Sequence, residues 1–286
     1  MSTLIISKTI LCWTFGLALA GCVNLKSIHS YSTSSLKSLQ KFEDIDYSFR
    51  KACQEECRIG QFEKQKIDPV PCPCYDEKTA DSVTLIIYKA IKGYYQGLAD
   101  LSANELTGYK FNALAKALKE GNFGGLNVNK QQVDAYAKIS AILTRAVTDG
   151  YRRKKLSLYI GDANESVKTL LQTMDFILVD NLSKRLETQG QRLQSFYFDL
   201  VEDSDASSYE KKKIIEEYDL DIGKLEMRKE LVKSYARGLS TISRGHQELF
   251  ENRAKLKASE LKTLLVQHAN DLEDILGEWN KIKNEN

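Results

Sequence analysis

The chain has 286 residues, with 41 Lys and Arg against 39 Asp and Glu, a formal charge of +2, six cysteines and three prolines. Charges this evenly mixed set up no global field to draw in nucleic acid or an anionic surface, so nucleic-acid binding is not expected. The length suits one large domain or two small ones and is ample for a buried core.

At the N-terminus, the start amine and Lys8 precede an apolar stretch from Thr9 to Ala20. About a dozen residues fall within the roughly 7–15 of a signal-peptide core and short of the roughly 20 that cross a bilayer. Polar Asn24, Lys26 and Ser27 follow at once. The stretch ends in Leu19-Ala20-Gly21-Cys22, with small residues ahead of a thiol. These residues resemble the lipobox of bacterial lipoprotein signal peptides, and the resemblance covers residues 1–22 only. It implies that residues 1–21 are removed and that Cys22 carries lipid, palmitate included, on its sulfur. The lipid bilayer is then the expected partner and the bacterial cell envelope the expected location. Val23 stands where an aspartate would favour inner-membrane retention in Gram-negative sorting. That points to the outer membrane, facing the periplasm, in a host with two membranes.

Residues 22–35 read as a polar tether, rich in serine and reaching about 20 Å from the lipid. The bundle domain is expected to span 36–286. Its first helix, over 36–58, is marked by Leu36, Leu39, Phe42, Ile45, Phe49 and Cys53 at intervals of three to four. With Cys22 spent on lipid, Cys53, Cys57, Cys72 and Cys74 remain, an even number suited to disulfides in an exported chain. One helical turn separates Cys53 from Cys57, about 6 Å between Cβ atoms where a disulfide wants about 3.8 Å. Cys72 and Cys74 flank a single proline, and a ring that tight is strained. Both bonds are expected to run between the two pairs, with the partner assignment open. C-x-C departs from zinc-knuckle spacing and no C-x-x-C is present, so neither zinc nor redox catalysis is expected.

Pro69, Pro71 and Pro73 make 68–74 extended, and no proline follows from Tyr75 to Asn286. Val83, Ile86, Ile87, Ala90, Ile91, Tyr94 and Leu98 mark a second helix. Ser102 with Glu105 forms a capping box that starts a helix to about Glu120, and Gly121 to Gly125 is a turn lacking the G-K-S/T of a phosphate loop. A helix follows from about Lys130 to Leu158, and Gly161-Asp162-Ala163-Asn164 reads as a tight hairpin. Apolar residues from Val167 to Leu200 mark a helix of about 40 residues, and Asp203 to Ser208 the next turn. The last stretch, from about Ser208, is too long for one straight helix and predicts a break within 245–260. Long helices on short turns double back. The expected fold is all-α, an elongated antiparallel up-and-down bundle of four to five long helices with coiled-coil-like packing.

Chemistry is sparse. His29, His246 and His268 form no metal-binding pair, no Glu-x-x-His motif and no G-x-S-x-G elbow occurs, and no catalytic residue, metal or cofactor is expected. Glu202-Asp203-Ser204-Asp205 lacks the glycine and distal glutamate of a calcium loop. Arg152-Arg153-Lys154-Lys155 and Lys211-Lys212-Lys213 read as solvated faces. Tyr88, Tyr94, Tyr95, Tyr109, Tyr136, Tyr151 and Tyr159 are expected at bundle margins, rings in and hydroxyls wet. The function expected is that of a membrane-tethered, non-enzymatic structural or protein-interaction module, with a protein partner or self-association. The alternative is a periplasmic enzyme or small-ligand sensor with its site inside the bundle. A cavity with converging charges would favour the alternative, and a surface patch the interaction module.

Overall fold

A computed structural model of the chain describes residues 23–64, 70–103, 129–148, 156–202, 205–256 and 258–284. In chain order these form α1 (Val23–Gln40), a 3-10 turn (Lys41–Asp44), α2 (Phe49–Phe62), α3 (Tyr75–Ala103) and α4 (Lys130–Thr148). There follow α5 (Leu156–Phe176), a π-helical segment (Ile177–Leu182), α6 (Ser183–Glu202), α7 (Ser208–Glu251), a 3-10 turn (Arg253–Lys255) and α8 (Ser259–Asn284). The protein is an all-α helical bundle, and no strand occurs among the described residues.

Two long rods set the frame. α5, the π segment and α6 run on without a break, antiparallel to α7, and contacts along them keep one register: Gly161 with Arg253 near one end, Gly190 with Leu225 towards the other. Ile177, Leu178 and Leu182 of the π segment are buried, so the wider turn adjusts which face meets α7. The Asn181 amide donates to the Phe176 carbonyl at 3.0 Å, supporting the backbone there. α7 starts at a complete capping box, in which Ser207 and Glu210 satisfy each other's backbone NH groups. Asn129 and Gln132 do the same at the start of α4, with bonds of 2.7 and 3.0 Å.

Helix α1 corrects the expected tether. The serine-rich segment is an ordered helix, packed antiparallel to α3 and α7 and parallel to α8, with Ser27, Ile28, Tyr31, Ser32, Ser35, Ser38 and Leu39 all buried. Tyr31 meets Tyr95 and Ile242, Tyr235 meets Leu39, and Ser34 and Lys37 both reach Glu273. Serine suits this position because it is small, and Gly238 faces Ser38 so closely that a Cβ there would stand 2.5 Å from its Oγ. The hydroxyl is no obstacle to burial when it bonds within its own helix, as Ser32 Oγ does to the Ile28 carbonyl at 2.7 Å.

The expected helix over 36–58 is two helices. Between them the chain turns through Lys41–Asp44 and extends at Ile45 to Tyr47, where the Tyr47 hydroxyl donates to Gln189 at 2.6 Å. Ser48 then caps α2, and Asp81 of α3 accepts from the backbone NH groups of Phe49 and Arg50. Gly161 to Asn164, expected as a hairpin, lie inside α5, where Ala163 and Asn164 are buried. α4 and α5 are instead joined by 149–155, outside the described residues. Residues 70–74 are non-helical, whereas 65–69, most of the expected helix to Glu120 and the Gly121–Gly125 turn lie outside the described residues. The break expected within 245–260 falls between Glu251 and Ser259.

Candidate interaction surface and buried tyrosine–histidine cluster

The two rods are not covered evenly. α1, α3 and α8 pack on the part of α7 from Leu231 to Leu249, and α2 braces α6 as far as Phe196, through Phe62 and the Arg192–Glu63 ion pair at 3.1 Å. Beyond Phe196, among the described residues, the α6–α7 hairpin stands with its own two helices for support. A groove of 280 Å³ runs there between Tyr197, Phe198 and Val201 of α6 and Ile214, Ile215 and Tyr218 of α7. Phe198 is 59% exposed and Ile215 49%. The Tyr197 and Tyr218 rings meet edge to face at 5.6 Å, and the Tyr197 hydroxyl donates to Asp221 at 2.9 Å, so the groove floor is held in place. Burial, with that bond, pushes the Tyr197 phenol up to about 12 and keeps it neutral.

A polar cluster lies at the level where α1 crosses α7. Tyr31, Tyr94, Tyr95, Tyr159 and His246 are all buried, and Tyr94 stacks flat on Tyr159 with ring centroids 5.2 Å apart. Three of these tyrosine hydroxyls donate to backbone carbonyls: Tyr31 to Ile242 at 2.6 Å, Tyr95 to Ile242 at 3.4 Å and Tyr159 to Tyr94 at 3.0 Å. Their protons are engaged by main-chain oxygens, so they act as ties between helices. Burial holds the Tyr31, Tyr94 and Tyr95 phenols far above their ordinary range. The expectation of tyrosines at bundle margins is thus corrected for Tyr88, Tyr94, Tyr95, Tyr136 and Tyr159, which are in the core, while Tyr109 and Tyr151 lie outside the described residues.

His246 Nδ1 lies 3.4 Å from the Tyr94 hydroxyl, with Tyr94 and Tyr95 edge-on to its ring. Burial lowers its pKa from 6.5 to about 4, so the imidazole is neutral in the folded protein at neutral pH. As pH falls from 6.5 to 4 the unfolded chain takes up a proton that the folded chain does not. Stability should therefore drop across that window, by about 3 kcal/mol when complete. Urea unfolding measured from pH 7 to pH 4 checks this. His246→Gln should flatten the profile there, and a variant profile parallel to wild type would refute the assignment. His268 of α8 packs beside Tyr31, and its Nε2 stands 3.4 Å from Glu248. His29, expected in the tether, lies in α1 with Nδ1 3.0 Å from the Ala99 carbonyl.

The remaining cysteines are paired as Cys53–Cys74 and Cys57–Cys72, both between the two sequence pairs, with Cα atoms 6.0 and 6.1 Å apart. They sit one turn apart on α2 and clasp it to the residues that open α3. No protein-family model, curated protein or solved structure matches the chain. Geometry and residue chemistry therefore carry the functional argument.

Of the other residues singled out from sequence, Cys22 and Arg152 to Lys155 lie outside the described residues. Lys213 pairs with Glu216 at 2.7 Å on the exposed face of α7, and Glu202 ends α6 in solvent. Sequence reasoning missed the groove, and Phe198 above all. The available signal was apolar residues on both faces of 196–201, more than one helical stripe can bury. Periodicity shows which face is apolar but does not show where the helices that cover it end.

Proposed function

We propose that this protein is a lipid-anchored component of the bacterial cell envelope, in the outer membrane facing the periplasm where the host has two membranes. It works there as a non-enzymatic interaction module. The observation that carries the reading is polarity along the molecule: the helix that begins directly after Cys22 lies at one end, and the uncovered apolar groove at the other. Tyr31 bonds Ile242, so α1 and α7 can be aligned. At 1.5 Å per residue, Ser208 lies about 50 Å from that level in one direction and Val23 about 12 Å in the other, giving a reach of about 60 Å. Lipid on Cys22 would hold the groove that far from the bilayer.

α1 sharpens the picture of attachment. With a packed helix in place of a flexible tether, the anchor couples directly to the bundle and sets its orientation. Two disulfides, of whose four cysteines only Cys74 is buried, are also in keeping with an oxidising compartment. No helix among the described residues is long and apolar enough to cross a membrane. Attachment through Cys22 supplies the membrane contact in this reading.

Palmitate labelling of wild type and Cys22→Ala in the native host tests it. The label should be lost in the variant, and the protein should move from the membrane to the soluble fraction. A variant that stays labelled or anchored would overturn the reading.

A further inference from the structure

We infer that the groove at the free end of the α6–α7 hairpin is covered by the same groove of a second copy of this chain, forming a parallel two-fold four-helix bundle. The inference rests on the anchoring proposed above, because two copies held upright in one bilayer by the same residue keep equivalent groups at equal height. A two-fold axis along the hairpin does the same, and it places α6 of one copy beside α7 of the other.

The charge pattern fits that arrangement. Glu202, exposed on α6, lies one turn beyond Phe198 on the outer edge of the groove. Lys212, 72% exposed and held only at 3.6 Å from Glu216 on its own helix, lies one turn before Ile215 on the opposite outer edge. The contacts Gly190 with Leu225 and Tyr197 with Tyr218 set a register in which Glu202 stands level with Lys212 and Lys213. Rotation about the axis brings each Glu202 to the partner copy's Lys212, twice per dimer, while Phe198 and Ile215 close over each other. These flanking positions correspond to those that choose partner and orientation in coiled coils. A groove with two exposed large apolar side chains, a glutamate on one rim and a lysine on the other is self-complementary under that rotation.

The test uses the full-length lipidated protein in mild detergent, with protein mass measured by light scattering over a hundredfold concentration range, and crosslinking in the native envelope. Wild type should have dimer mass. Ile215→Glu should abolish the dimer. Glu202→Lys and Lys212→Glu should each weaken it at least tenfold, by placing like charges together, and the double variant should restore it. A wild-type monomer throughout the range would overturn the inference, and that measurement stands even where a variant fails to fold. So would a double variant as weak as the singles, or tip crosslinks that run only to a different protein. The last result would leave the proposed function intact, whereas an unlabelled Cys22 in the same preparations would strike at the anchoring instead.

Discussion

Gly245→Val should destabilise the protein by about 3 kcal/mol, enough to lower the thermal midpoint by several degrees. A Cβ at Gly245 would stand 2.5 Å from Cε2, 2.8 Å from Cζ and 3.0 Å from the hydroxyl of Tyr31. That ring cannot swing aside. It is fully buried, its hydroxyl donates to Ile242, and Tyr95 and His268 face it from two other helices. α1 must therefore move off α7, loosening contacts at Leu39 and Ser38 as well. Gly223 is the control, since nothing lies within 4 Å of a Cβ there. Gly223→Ala should stabilise by up to about 1 kcal/mol through helix propensity alone. Thermal or urea unfolding of the three proteins checks both, and a Gly245→Val midpoint equal to wild type would show that α1 does not pack as described.

Loss of the disulfide clasp is the second large effect. Cys53–Cys74 and Cys57–Cys72 close segments of 21 and 15 residues. In the chain-entropy model each bond alone contributes about 3 kcal/mol by restricting the unfolded chain. The loops are nested, so the pair together contributes less than the sum. Cys53→Ser with Cys74→Ser should cost about 3 kcal/mol, and full reduction somewhat more, read as a lower urea midpoint with dithiothreitol than without. Hydrogen exchange should show where the loss falls. α2 has buried only Phe49, Ala52 and Ile59, so its amides should lose protection first while those of α7 and α8 keep theirs. Equal midpoints with and without reductant would refute the clasp's contribution.

These predictions draw on different amounts of sequence information. The clasp was legible in outline, since two cysteines one helical turn apart cannot bond each other and a pair flanking one proline cannot close comfortably. Which cysteine met which needed the fold, because either pairing between the two sets satisfies those local limits. The helix containing Tyr31 was not legible. Leu25, Ile28, Tyr31, Leu36 and Leu39 do recur on one face, but the serines between them carry the composition of a linker. Only the opposing glycines of α7 explain why small polar side chains belong in a helix core. The tyrosines misled for a related reason: a phenol is at home at a bundle margin until a backbone carbonyl inside the bundle accepts its proton.

By itself the sequence determined that the chain is helical and long-rodded, since 3.6-residue periodicity without proline from Tyr75 onward leaves few alternatives. It also placed a helix break within 245–260 and marked the segment that the disulfides staple. Those are local properties, set by spacing, backbone geometry and chain connectivity. Only the tertiary structure decided that the segment after Cys22 is a packed helix, that tyrosines and His246 lie at the centre, and that the α6–α7 hairpin outruns the other described helices. Burial depends on where other helices begin and end, which no single helix encodes. The apolar face of the hairpin was written in its sequence, but its exposure depends on where the other described helices end.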